Sequence, residues 1–404
     1  MVQSATKRAD TRRSPGFLLG FAMANAGSVL AYLPFLSLLL PLKVEAMAGA
    51  DRVAVLSVIL GGGAIAAGAG NILVGLLIDR SLARSHGTGG GLRAWIAAGV
   101  ATTMLSFGLI RAAHTPLTLF LAVVAFELAL NVLISPVALL LVDEVPDAQK
   151  GLAGGLLTLG QPLGMLAATA LVPLYENSEA AAYGAIGLGT CALVLPLVKT
   201  RARPTSPPAA TDAPAVARRD LAWLLVSRLL LLTANCILGG ILVYYFEGLS
   251  VALTAGAVAR RVGVLAMIAY AVAAPIAVLL GAKTVTRATR KAFAIIAALC
   301  AGATVVMIVL VPRWEWAATG YVLFVCAVQV YTSQQSALVA QALRKPRHRA
   351  RDLGFQNLAN TAPAILGPLL VVTLYRYAAM PALIWTMAGL SLASALALSR
   401  ARLE

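Results

Sequence analysis

Two charged residues stand deep inside stretches that are otherwise apolar. Glu127 lies within "AVVAFELALNVLISP" and Arg228 within "LAWLLVSRLLLLTANC", and neither stretch holds another charge. A charge at the centre of a bilayer costs about 2.5–3.5 kcal/mol on insertion scales, so each is a functional candidate by default. Glu127 falls about eleven residues into its run, roughly 16 Å deep at the helical rise. Asn131 and Ser135 follow at i+4 and i+8, which makes a polar stripe on one helical face. A carboxyl held out of water can take up and release a proton. The plainer alternative for Glu127 is a hydrogen bond between helices. Arg228 falls about seven residues into its run, roughly 10 Å from the start. It either snorkels to the interface or turns inward, where it would bind an anionic group or pair with a carboxylate.

Uncharged polar residues recur in other apolar runs. Asn25, Ser28 and Tyr32 share one face at i, i+3 and i+7, and Asn235 lies one heptad beyond Arg228. "VQVYTSQQSA" supplies Gln329, Tyr331, Gln334 and Gln335, and Gln356, Asn357 and Asn360 follow. Such groups either tie helices together or meet solutes rich in hydroxyls and amides. An enzyme would need converging acids, bases, nucleophiles or metal ligands. The three histidines (His86, His114, His348) fall in loops or at the ends of apolar runs, and there is no HExxH and no GxxxxGK[ST]. The four cysteines lie inside apolar runs without a CxxC pair, as small core residues do. No enzyme, cofactor or metal site is expected.

The elements that must position these residues are membrane helices. The 404 residues are 60% hydrophobic and 12% charged, with a mean hydropathy of +0.86. A soluble domain is nearer half apolar and a quarter charged. Apolar runs bounded by charge, Pro or Gly predict twelve spans. Six are 16–41, 53–78, 94–112, 116–142, 151–174 and 180–198. Six more are 221–246, 259–281, 292–312, 316–342, 353–377 and 380–399, with Arg260 and Arg261 at the boundary of the eighth. The first run is too long for a signal-peptide core and is expected to remain as a helix. A net charge of +16 suggests nucleic acid in a soluble protein, but here Lys and Arg collecting in cytoplasmic loops account for it. That bias places both termini in the cytoplasm. The Pro/Ala-rich stretch 199–220 has linker composition. The expected organisation is a tail (1–15), a six-helix bundle (16–198), a cytoplasmic linker (199–220), a second six-helix bundle (221–399) and a short tail (400–404).

The halves echo each other. Ala138–Pro162 and Ala337–Pro363 both read as helix end, charged loop with proline, then a helix with proline eleven residues after Gly151 or Asp352. Transporters are commonly built from two related halves. Gly151/Gly155 and Gly160/Gly164 have the small-residue spacing of close helix packing.

One further stretch, "GLLIDRSLAR" (Gly75–Arg84), puts Asp79 at the cytoplasmic end of the second span. Arg80, Arg84 and Arg93 then form a short basic loop. They are either interfacial charges or a conformational latch of Gly75, Asp79, Arg80 and Arg84. In the latch, Asp79 would cap the positive N-terminal end of a neighbouring helix and pair with an arginine. Gly75 would let that helix approach.

"GLLIDRSLAR" resembles the signature between spans two and three of the major facilitator superfamily: Gly, three residues, Asp, a basic residue, then more basic residues. Gly75, Asp79, Arg80 and Arg84 match, while Leu82 and Ala83 replace the usual glycine. The second-half copy, "GAKTVTRATRK", keeps Arg287, Arg290 and Lys291 but no aspartate, which predicts a one-sided latch. "LPLKVEAM" and "DLGFQNLANTAP" are similar to a bacterial branch resembling sugar/proton symporters of the sucrose-transporter type. Where that branch carries an acidic residue before an Ala-Leu pair, this sequence has Gln335. The resemblance implies an all-α integral membrane fold, with spans 1, 4, 7 and 10 lining a central cavity and alternating access to a small-molecule substrate. It implies a proton as coupling ion, possession of no cofactor, and residence as a monomer in the cytoplasmic (inner) membrane. A drug or metabolite efflux antiporter of the same superfamily and a non-transporting sensor are the alternatives.

Overall fold

The computed structural model describes residues 12–84, 91–200, 218–250, 254–343 and 348–402. Among them, twelve helices are long and apolar enough to cross a membrane. In the first half these are α1 (Pro15–Ala48), α2 (Ala54–Arg84), α3 (Gly91–Ala112), α4 (Pro116–Asp143), α5 (Asp147–Tyr175) and α6 (Glu179–Val198). In the second half they are α7 (Arg218–Gly248), α8 (Gly256–Lys283), α9 (Arg287–Leu310), α10 (Trp314–Ala342), α11 (Arg349–Leu374) and α12 (Ala382–Arg400). Residues 201–217, the middle of the expected linker, and residues 1–11 of the expected tail lie outside the described residues.

Every expected span is present, and the differences lie at the ends. α1 runs on to Ala48 because Pro41 interrupts its bonding without ending it. Proline has no N–H, and the register widens over Phe35–Leu39, where the Leu40 amide donates five residues back to Phe35. α2 continues to Arg84, since Ile78 and Leu82 keep an apolar face packed on the core. The expected basic loop is therefore corrected: Arg80 and Arg84 stand on the last turns of α2, and Arg93 stands on the first turn of α3. Arg260 and Arg261 likewise lie on the first turns of α8 and are exposed. α7 begins at Arg218, three residues early, which sets Arg228 ten residues in, roughly 15 Å from the helix start.

Helices α1 to α6 pack as one bundle, α1 against α5 and α6, and α4 between α2 and α3. In the other bundle α10 packs on α8 and α9, while Ser227 of α7 bonds Ser394 of α12. Phe35, Phe107, Phe126 and Tyr183, from four helices, knit the first bundle with ring centroids 4.8–6.2 Å apart. Leu105, Leu117, Ile65, Leu188 and Leu310 point outward, as lipid-facing side chains must. The prolines of the internal echo have a structural counterpart. α5 is interrupted at Thr158 and α11 at Ala362, because Pro162 and Pro363 cannot donate to the carbonyl four residues back.

Both described chain ends lie on one face, here the terminal face. Glu144, between α4 and α5, receives Arg13 from the chain start and Arg93 from α3. The acid side chain is only 2% exposed. Arg13 also holds Gln149 through its backbone. Removing one partner of a buried ion pair costs about 3–5 kcal/mol because the rest is left uncompensated. Glu144→Gln is therefore expected to lower the unfolding free energy by about that amount in chemical denaturation. An unchanged midpoint would show that the triad is solvated.

Candidate functional site

Cross-bundle hydrogen bonds and ion pairs join the described helices between the membrane interior and the terminal face. Asp79 at the end of α2 accepts the backbone amides of Ala350 (3.1 Å) and Arg351 (3.0 Å), the first turn of α11. Those amides have no partner within their own helix, and the negative charge meets the positive end of the helix dipole. The approach depends on Gly75: a Cβ there would sit 2.6 Å from the Ala350 carbonyl oxygen. Beside it, Arg349 reaches back to the fully buried Asp143 of α4 at 2.8 Å. Arg80 and Arg84 are exposed on the last turns of α2.

The second crossing, α5 on α8, repeats the backbone geometry with different chemistry. A Cβ on Gly151 would sit 2.8 Å from the Thr284 carbonyl oxygen, and one on Gly155 would sit 2.7 Å from that of Ala277. Val285 occupies the place corresponding to Asp79, so no carboxylate from α8 caps α5. Basic side chains take over instead. Lys150 donates to the Ala340 carbonyl at the end of α10 (3.0 Å), and the buried Arg290 donates to the Asp147 carbonyl (2.7 Å). Lys150, Asp143 and Arg349 were not singled out by sequence reasoning, and Arg290 only as a basic residue of the second-half copy of the signature. The acid pair Asp143-Glu144 closing an apolar span was the available signal.

Deeper in, the membrane-embedded candidates fall into two groups. In the second bundle the Arg228 guanidinium donates from Nε to Asn360 Oδ1 (2.8 Å). Its Nη1 donates to Ser336 Oγ (3.1 Å) and to Gln335 Oε1. Gln335 in turn donates to the Leu224 carbonyl (3.1 Å), and Asn360 donates to Asn357 (3.4 Å). Four candidates from α7, α10 and α11 thus form one cluster. One residue before Arg228, Ser227 binds the Tyr331 hydroxyl at 2.6 Å.

In the first bundle Glu127 is 7% exposed and lies against Gly63 of α2, where a Cβ would meet its carboxylate at 3.9 Å. No cation pairs with it among the described residues. Tyr32 accepts from Gln161 of α5 (3.4 Å). It lies within electrostatic reach of Glu127 and of Tyr270 on α8. Three other candidates engage backbone carbonyls. Asn25 donates to Leu157 (2.8 Å), Asn131 to Ala67 (3.3 Å) and Gln329 across the bundles to Thr158 (3.5 Å). Asn235 is half-buried on α7.

Comparison with known proteins agrees with this architecture. Residues 16–345 match the family described as Major Facilitator Superfamily. No curated protein sequence matches the chain. Among solved structures, the human organic anion transporter MFSD10 is similar at a TM-score of 0.73 and 16% identity, over 96% of this chain and 100% of that one. The E. coli fucose:proton symporter FucP is similar at 0.69 and 13%, over 96% and 98%. The proton:xylose symporter XylE is similar at 0.68 and 12%, over 94% of each chain. At these identities the likeness is one of fold.

Proposed function

Because the chain belongs to the major facilitator superfamily, we propose that it is a secondary active transporter, working by alternating access on a small polar organic solute. Its terminal face is cytoplasmic, by the concentration of Lys and Arg there, and the membrane is the inner membrane. The observation that carries this reading is the distribution of contacts and charge. Among the described residues, the bonds that join the two bundles cluster toward the terminal face, and the acid and the base at membrane depth, Glu127 and Arg228, stand in opposite bundles without oppositely charged partners. In this arrangement the closed terminal face is one of two states, and the latch of Gly75 and Asp79 stabilises it.

Glu127 is the proton carrier, and the cluster around Arg228 holds the solute. Tyr32, Gln161 and Asn235 add polar contacts on the way. The amide-rich lining suits a hydroxyl-rich solute of the sugar or glycoside class. The protein acts as a monomer, since one chain supplies both bundles. Reconstitution tests this directly: proteoliposomes preloaded with a candidate solute should exchange it for labelled solute outside, and protein-free liposomes should not. Binding of a solute without any exchange would replace transport by sensing.

A further inference from the structure

The charge of Arg228 is not needed to join the helices around it. Ser227, Tyr331 and Ser394 already tie α7 to α10 and α12 with neutral hydroxyls, one residue away. Arg228 adds a permanent cation, since a guanidinium does not lose its proton in proteins. Each of its acceptors (Asn360 Oδ1, Gln335 Oε1 and Ser336 Oγ) is neutral. The Gln335 amide is fixed by its bond to Leu224, so its oxygen stays on the guanidinium.

Among the described residues, no acid in the second bundle lies at the depth of Arg228. Asp220, Glu247, Glu315 and Asp352 stand at helix ends, and Asp220 accepts the Arg402 amide while Asp352 is held by Arg351. Glu127 is in the other bundle. The three neutral acceptors occupy Nε and Nη1, which leaves the Nη2 edge with no hydrogen bond among the described residues. Uncompensated charge at membrane depth is costly, and a planar fork held in one orientation is suited to carboxylate or phosphate.

We propose that the solute site takes an anionic group, a carboxylate or a phosphate, on the free edge of Arg228. This rests on the transporter reading and narrows its substrate class to acids. Gln335 then sets the specificity: an amide keeps the guanidinium charge available, whereas a carboxylate at that position would neutralise it.

The test uses purified full-length protein and thermal shift with matched probes. These are glucuronate, benzoate and succinate, each against its methyl ester, and inorganic phosphate. At least one anion should stabilise the protein and its neutral counterpart should not. Arg228→Gln should weaken that binding on the order of a hundredfold, as loss of a desolvated charge partner does. Gln335→Glu should do the same; it preserves side-chain length and strengthens the tie to Arg228 but gives up the donor to Leu224, so the melting temperature without ligand is the control for folding in both variants. Equal shifts from acids and esters, acid shifts that survive both substitutions, or no shift from any anion would overturn the assignment. An acid that binds through Arg228 yet never moves in counterflow would keep the assignment and remove transport. Exchange of neutral solutes alone would do the reverse.

Discussion

Glu127→Gln should abolish uphill accumulation of solute while leaving downhill exchange intact. A glutamine fills the same space against Gly63 but cannot take up a proton. Each pH unit across the membrane is worth about 1.4 kcal/mol per proton, which supports about tenfold accumulation. The variant should therefore fall to an inside-to-outside ratio of about one at a gradient that gives the native protein about tenfold. Among the described residues, no other carboxyl in the first bundle lies at that depth. Asp79 caps α11 and Asp143 pairs with Arg349, both near the terminal face. Accumulation measured in proteoliposomes with an imposed pH gradient decides the matter. Undiminished uphill uptake by the variant would remove Glu127 from coupling.

A second substitution should act at a distance from any solute. Gly75→Val places carbon where the Ala350 carbonyl oxygen already lies at 2.6 Å from the first added atom. That neighbour is backbone on the first turn of a helix and cannot rotate aside. Overpacking of this kind costs about 1–3 kcal/mol, and here the cost falls only on the state in which the terminal face is closed. The closed state should lose population by about tenfold to a hundredfold, and transport should fall with it. Folding in the open state is unaffected, because the clash exists only across the crossing. A thiol introduced at Asn71, buried where α11 crosses α2, should become reactive from the terminal face in the Gly75→Val background. Native transport by this variant would mean that the crossing tolerates a separation of helices that the structure does not show.

How much of this was legible beforehand differs from residue to residue. The spans were readable because lipid permits few alternatives: a backbone that cannot bond to water must be helical. The ends were less readable, since Arg80 and Arg84 look like loop residues until the packing of Ile78 and Leu82 is known. The capping role considered for Asp79 follows from local sequence plus one helix dipole, and the structure places that carboxylate on the first turn of α11. Its counterpart on α5 could not be foreseen. Lys150 and Arg290 act on carbonyls more than a hundred residues away; no local pattern marks Lys150, and the one that holds Arg290 does not say what it meets. The polar set was harder still. An asparagine that ties two helices and one that faces a solute have the same sequence signature. Only the structure shows Asn25, Asn131 and Gln329 bonded to backbone while Asn360 and Gln335 gather on Arg228.

In this mechanism the two bundles rock against each other about a site between them. Pulsed EPR distances between paired spin labels in a cysteine-free background test it most directly. One pair, at Arg80 and Thr289, reports on the terminal face, and another, at Leu117 and Trp316, reports on the opposite face; all four positions are exposed. Conditions that lengthen the first distance should shorten the second, with both states populated and Gly75→Val shifted toward the first being long. Two distances that stay fixed through changes of pH, solute and the Gly75 substitution would contradict it.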